Sequence, residues 1–418
     1  FRASLPFMAA TLASHRPEEK GPPMTLPRKE LFDLPEGVLY LDGNSLGPLP
    51  KGAAERVARV MRDEWGADLI KAWNTAGWMD LPRVVGDRIG QLIGAPEGSV
   101  ATGDTLSIKV YQALAAALQM RPARKVVLSD TGNFPSDLYM AQGLIDTIGK
   151  DHELRLVAPE DVAGAIGEDL AAVLLTEVDF RSGRRHDMGA ITRQAHEAGA
   201  VMIWDLAHSA GAVPVDITAS KAEFAVGCTY KYLNGGPGAP AFIYARPDIV
   251  EGLQPALAGW LGHASPFDME LAYRPAMATE RLRVGTPPIL QLAVLQQALE
   301  AWDGVDMADL RAASVTLCER FIREVEARCP QLTLASPRDA GQRGSQVSFA
   351  FENGYPVMQA LIARGVIGDF RAPDIMRFGF TPLYLDEGDV IRAAEIIEEV
   401  MVKEIWRDPA YNKRSRVT

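Results

Sequence analysis

The chain has 418 residues, 47% of them hydrophobic and 23% charged, proportions that exclude wholesale disorder and a membrane-embedded protein and leave ample material for a core. Its formal charge of −11 leaves no global positive field for nucleic acid or anionic lipid, so an anionic ligand must be held by local basic side chains and helix N-termini. That length exceeds the usual size of one core, so a large domain with a smaller one is expected.

In chain order, residues 1–23 read as an N-terminal extension. Arg2, His15, Arg16 and Pro17 interrupt its apolar stretch, which lacks the continuous run of a secretory signal, and no run in the chain approaches membrane-spanning length. Residues 24–60 are expected to pack on the smaller domain. From about residue 84, short β-branched runs alternate with helical patterns, an α/β signature. Strands are expected at 125–129, 171–176, 201–205, 224–227 and 241–244, each short, apolar and bounded by polar or glycine-containing segments. They read as buried, mainly parallel strands, with helices at 107–119, 136–149 and 191–198 as crossovers. A large domain thus spans 61–289. After Gly285-Thr286-Pro287-Pro288 the pattern changes to long helices at 289–302 and 307–328. An α+β unit follows, with strands near 345–351 and 375–380, so a smaller C-terminal domain is placed at 290–418. Cys228, Cys318 and Cys329 have no CxxC spacing and no Cys/His cluster, so neither a metal site nor a disulfide framework is suggested and a reducing cytoplasm is expected.

The densest chemical signal is Cys228-Thr229-Tyr230-Lys231-Tyr232-Leu233-Asn234-Gly235-Gly236-Pro237-Gly238, directly after the expected strand 224–227. Open α/β sheets bind ligands beyond the carboxyl ends of their strands, so Lys231 should enter a crevice there. A lysine in that place is suited to forming a Schiff base with an aldehyde, for which it must first shed its proton. A lone lysine beside glycines is more often a surface residue or a generic phosphate contact. Its neighbours change the balance. Asp205 closes strand 201–205, where a carboxylate can pair with a protonated pyridine nitrogen, and His208 follows on the next turn. Taken singly, Asp205 reads as a helix cap and His208 as a core histidine. Gly103-Asp104-Thr105-Leu106-Ser107 opens a helix with hydroxyls and free N–H groups suited to phosphate, and Asn133-Phe134-Pro135-Ser136-Asp137 offers a ring able to stack on a pyridine.

Together these segments resemble the fold-type I pyridoxal phosphate enzymes (class V aminotransferase-like), and more closely the kynureninase family. The likeness spans most of the chain. It runs through Leu41-Asp42-Gly43-Asn44-Ser45-Leu46-Gly47, the segments at 133–137, 204–211 and 230–238, Gly259-Trp260-Leu261-Gly262, and Arg377 ahead of Pro382-Leu383-Tyr384. The resemblance implies a fold-type I architecture, with a mostly parallel central sheet and a smaller α+β C-terminal domain. It further implies pyridoxal 5'-phosphate as cofactor and hydrolysis of L-kynurenine to anthranilate and L-alanine, in tryptophan catabolism or NAD biosynthesis.

By the same resemblance Leu106 and Ser107 bind phosphate, Phe134 stacks on the ring with Asp137 nearby, and Thr176 contacts the phenolic oxygen. Asp205 pairs with the ring nitrogen, His208 and Tyr230 approach the phosphate, Tyr230 also relays protons, and Lys231 carries the Schiff base. Trp260 and Thr286 reach the phosphate of a neighbouring subunit, so a homodimer with a shared site is implied. Arg377 clamps the substrate carboxylate, as a planar guanidinium can, with Ser45 at the substrate. Trp73, in Ala72-Trp73-Asn74-Thr75-Ala76-Gly77-Trp78, is placed at the substrate's aromatic end, although core packing explains it equally well. Thr286 and Ser107 stand where some members carry Asn and Thr; a hydroxyl preserves phosphate bonding at both, and Thr286 is the position that bears on preference, read as favouring unsubstituted kynurenine over its 3-hydroxy derivative. A cysteine desulfurase or selenocysteine lyase, an aminotransferase and a non-catalytic protein of this fold are the rival readings. The first of these needs a mobile nucleophilic cysteine, and none of the three is placed for it.

Overall fold

The computed structural model describes residues 26–149 and 151–413. The extension expected at 1–23 lies outside the described residues.

Seven strands form the central sheet: β1 (Val100–Thr102), β2 (Val126–Asp130), β3 (Glu153–Val157), β4 (Leu170–Thr176), β5 (Val201–Asp205), β6 (Phe224–Gly227) and β7 (Phe242–Ala245), in the order β1-β7-β6-β5-β4-β2-β3. From β6 across to β3 every pairing is parallel, and β7 runs against both its neighbours. The expected strand near 241–244 is therefore the antiparallel member of a mainly parallel sheet. β4 and β5 are buried along their whole length because helices cover both faces. Alternate residues point opposite ways: Ile203 packs with Leu174 and Val226 towards α2 (Leu106–Met120) and α3 (Pro135–Ile148), while Met202 and Trp204 pack with Val173 and Ile191 towards α4 (Met188–Glu197). α1 (Leu81–Ile93) packs beside β1. β1 and β3 are absent from the sequence expectation. β1 is only three residues long, and β3 is an edge strand whose Glu153 and Arg155 break the apolar run.

Beyond β7, α5 (Ile289–Leu299) packs against α1, and Asp306 caps α6 (Met307–Arg328) by accepting hydrogen bonds from the amides of Ala308 and Asp309. A second sheet joins β8 (Thr333–Leu334), β9 (Gln346–Ala350), β10 (Asp369–Arg371) and β11 (Ile375–Gly379) in the order β8-β9-β11-β10, all antiparallel. It is accompanied by α6, α7 (Gly354–Ile362) and α8 (Glu387–Val402).

The N-terminal segment stitches these parts together. Leu39 and Tyr40 pair in parallel with Val366 and Ile367, the Gly379 amide donates to the Leu41 carbonyl, and the Gly47 amide donates to the Tyr230 carbonyl at 2.8 Å. Gly47 is required there: a β-carbon would stand 2.5 Å from the Lys231 carbonyl oxygen. Residues 41–47 thereby bridge the second sheet and the lysine loop.

Candidate active site

The loop between β6 and β7 joins antiparallel neighbours, so it turns back over the carboxyl edge of the parallel strands, and Lys231 lies in it. Lys231 Nζ is 3.0 Å from His208 Nε2, 5.9 Å from the centre of the Phe134 ring and 5.8 Å from that of Tyr230. Phe134 forms the outer wall, packed edge-on against Phe180 at 5.1 Å. Burial, followed by the charges of Lys231, Arg377 and Arg371, pushes His208 well below its ordinary pKa. A neutral imidazole accepts at Nε2 from Lys231 Nζ and keeps its proton on Nδ1, which has no partner among the described residues.

Two carboxyl groups form the floor. Asp205, at the end of β5, is buried and accepts a hydrogen bond from the Ala207 amide at 2.8 Å. Asp137, on the first turn of α3, is buried with neither oxygen meeting a donor. Burial raises Asp205 to about 6 against the opposing pull of Lys231, and burial together with the Asp205 charge raises Asp137 well above the carboxylate range. A folded-state pKa above the unfolded value near 3.9 means that this stabilisation is complete below about pH 4 and is lost as pH rises through the folded-state values. For the cofactor-free protein, Asp137→Asn should therefore raise Tm relative to the parent by an amount that grows as pH rises above about 4. Melting curves across that range check it, and a constant difference would contradict it.

In the same crevice the N-termini of α2 and α3 converge. Thr105 at the start of α2 makes no side-chain cap, leaving first-turn amides available, and Ser107 Oγ lies 2.9 Å from Ser136 Oγ. Thr176 Oγ1 makes only long contacts of 3.4 Å to the carbonyls of Val178 and Asp205, so it can turn towards a ligand. The neighbouring Cys228 thiol and burial both raise the Tyr230 phenol, which stays protonated.

Arg377 on β11 is buried. Register places Asp369 of β10 directly opposite it, and the guanidinium grips that carboxylate with two nitrogens, Nε at 2.5 Å from Oδ1 and Nη2 at Oδ2. Nη2 also donates to Ser45 Oγ at 2.8 Å and Nη1 to the Phe180 carbonyl at 2.5 Å. Phe180 thus connects the arginine to the lysine crevice.

Leu106, Ser107, Phe134, Asp137, Thr176, Asp205, His208, Tyr230 and Lys231 all line one crevice, and Ser45 and Arg377 adjoin it. Trp73, Trp260 and Thr286 do not line it. Trp73 meets Trp78 edge-on at 5.6 Å beside Val60 and Ala293, Trp260 meets Phe267 edge-on at 5.7 Å, and Thr286 is exposed beside Gly103 and Arg283. Sequence reasoning missed Ser136, Phe180, Asp369 and Arg371. Only Ser136 carried a signal, as a hydroxyl at the start of a helix inside a segment already singled out.

Pyridoxal phosphate fits this arrangement. The donorless oxygens of Asp137 beside Asp205 suit a protonated ring nitrogen, and two helix N-termini with paired serine hydroxyls suit a phosphate. Among the described residues no group of His, Cys, Asp and Glu is arranged to hold a metal, and no helix is long and apolar enough to cross a membrane.

Residues 310–397 match the family model of the kynureninase C-terminal domain. Curated kynureninases of Burkholderia pseudomallei (strain 1106a) and Pseudomonas fluorescens are each 48% identical to this chain over 399 residues, covering 94% of it and 96% of the relative. Among solved structures, an apo cysteine desulfurase from Thermococcus onnurineus NA1 superposes with a TM-score of 0.76 at 19% identity, covering 91% of this chain and 99% of that one. A mutant of C-DES with glycine covalently linked to its PLP cofactor superposes with a TM-score of 0.77 at 17% identity, covering 89% and 99%. These two share the fold, an α/β architecture with a mixed seven-stranded sheet.

Proposed function

This chain belongs to the kynureninase family, and from that premise we propose how its residues carry the family's reaction, the pyridoxal phosphate-dependent hydrolysis of L-kynurenine and one water to anthranilate and L-alanine. The observation that carries the assignment of roles is Lys231 Nζ at 3.0 Å from a neutral His208, above the buried pair Asp205 and Asp137. When bound, pyridoxal phosphate supplies an electron-withdrawing ring that stabilises negative charge on the Cα of the amino acid.

Lys231 is the point of covalent attachment. With the cofactor bound, its Nζ would be placed to take the Cα proton of the substrate and to return a proton later in the cycle. His208 accepts a hydrogen bond from Nζ and, being hard to protonate, orients the amine without removing its proton. Asp205, supported by Asp137, accepts the proton-bearing ring nitrogen. Tyr230 keeps its hydroxyl proton and serves as donor and relay. Leu106 and Ser107, joined by Ser136, hold the phosphate, Thr176 the phenolic oxygen and Phe134 the ring face, while Arg377 and Ser45 receive the substrate carboxylate.

The site is shared in a homodimer, with Trp260 and Thr286 reaching the neighbouring subunit's phosphate. What supports this reading is an apolar stretch left uncovered on one chain, where Trp260 is 43%, Phe267 64%, Met269 69% and Met277 79% exposed.

The Asp42 carboxyl gives a pH test. Burial, and then the Asp369 charge, raise it to about 7. Below that pH it is neutral; above it, a second anion stands beside Arg377, which receives the carboxylate. KM for L-kynurenine should therefore rise above about pH 7, and Asp42→Asn should flatten that limb of the KM–pH profile. An unchanged profile would remove Asp42 from this role.

Cysteine desulfurase chemistry needs an accessible thiolate. All three cysteines are buried, and burial lifts Cys318 and Cys329 to about 11. Side-by-side kcat/KM for L-kynurenine, 3-hydroxy-L-kynurenine and L-cysteine tests the substrate assignment. L-kynurenine should lead, and alanine formed from cysteine with no anthranilate from kynurenine would overturn it.

A further inference from the structure

Asp369 Oδ2 is claimed by three donors at once: Arg377 Nη2, Ser45 Oγ at 2.5 Å and Arg371 Nη2 at 2.8 Å. Its Oδ1 takes Arg377 Nε at 2.5 Å. The Asp369 carboxylate therefore occupies the Nε/Nη2 fork of Arg377, while the Phe180 carbonyl and Ser45 Oγ engage Nη1 and Nη2, so neither two-pronged face is open and an arriving α-carboxylate must displace a partner. Arg371 is differently placed. Its other contact is with the backbone carbonyl of Phe370 at 3.0 Å, so its grip on Oδ2 does not depend on Arg377. Both arginines lie close enough to the crevice for their charges to act on His208. Burial disfavours the Asp369 charge, but Arg377, and after it Arg371, outweigh burial and hold the carboxyl below its usual range.

Resting on the reading of Arg377 as the carboxylate site, we propose that Asp369 is an internal stand-in for the substrate carboxylate and that Arg371 is the positioning residue which retains it when substrate takes the Arg377 fork. The exchange swaps one carboxylate for another on Arg377 and moves no proton. Without Arg371, the displaced Asp369 has no cationic partner and competes with substrate for the remaining arginine.

The test is steady-state kinetics on cofactor-loaded Arg371→Gln, Arg371→Lys, Asp369→Asn and the Asp369→Asn/Arg371→Gln double variant, with Tm and cofactor absorbance reporting folding. Turnover of L-kynurenine by the parent is measured first and belongs to the functional reading; its failure would count against that reading and not against the exchange. Arg371→Gln should raise KM about tenfold or more with kcat within about twofold, Arg371→Lys should recover most of the loss, and the double variant should return KM to within about threefold of the parent. Inhibition by kynuramine, which lacks the α-carboxylate, should be the same in parent and Arg371→Gln. A tenfold higher KM in Asp369→Asn alone would overturn the proposal, because Asp369 would then be orienting Arg377 for substrate and not competing with it. A double variant no better than Arg371→Gln, or weakened kynuramine inhibition, would overturn it as well.

Discussion

Lys231→Ala should lower kcat for L-kynurenine by at least about 10⁴-fold, since proton transfer by a positioned group contributes about 10²–10⁴-fold and covalent attachment is lost with it. The fold should tolerate the change. Lys231 sits in a loop at the crevice, with His208 Nε2 as its hydrogen-bond partner, and neither β5 nor β6 packs through it. Tm should therefore stay within a few degrees of the parent. Pyridoxal phosphate should still associate through the α2 and α3 N-termini, but without the absorbance of a lysine-linked cofactor. A variant that retains more than about a hundredth of the parent kcat would remove Lys231 from the role given to it.

Arg377→Lys should give the second largest effect. Lysine keeps the charge but presents a single ammonium where the guanidinium presents a planar fork, so KM for L-kynurenine should rise roughly 10–100-fold while kcat falls much less. The conservative change is the informative one. Arg377→Ala would strip the buried Asp369 of its principal counter-charge, a loss of about 3–5 kcal/mol when one partner of a buried pair is removed, and would confuse binding with folding. In Arg377→Lys, Asp369 keeps Arg371 at 2.8 Å. An unchanged KM would place the substrate carboxylate elsewhere.

The legible parts of the fold were those where burial on both faces leaves an unbroken apolar run. β5 is Val-Met-Ile-Trp-Asp, buried throughout, and its limits match the sequence expectation residue for residue. The helix expected at 307–328 also matches, because Asp306 marks its start as a cap. The short β10 was not legible: its sequence is Asp-Phe-Arg, and what makes it a strand is pairing with β11.

The same division runs through the site. Lys231, Asp205 and His208 could be found because each follows an apolar run that ends at the carboxyl edge of a sheet, a rule that operates on local sequence. Arg377 could be named only through family resemblance, since nothing local separates it from other arginines in the second half of the chain. Asp369 and Arg371 could not be found at all. Their importance comes from a cross-strand register and from the arrival of Ser45 on the bridging segment, which reaches Asp369 and Arg377 from more than 300 positions away. Phe180 was hidden for a similar reason: it acts through its backbone carbonyl as well as its ring.

The central claim is that Lys231, set against His208 and above Asp205, makes this fold a hydrolase of L-kynurenine. The most direct measurement is product stoichiometry, with L-kynurenine added to the pyridoxal phosphate-loaded protein and anthranilate followed by fluorescence alongside L-alanine, using Lys231→Ala as the control. Equimolar anthranilate and alanine, absent from the control, is the predicted result. Bound cofactor with no anthranilate, or anthranilate formed equally by the control, would contradict the claim.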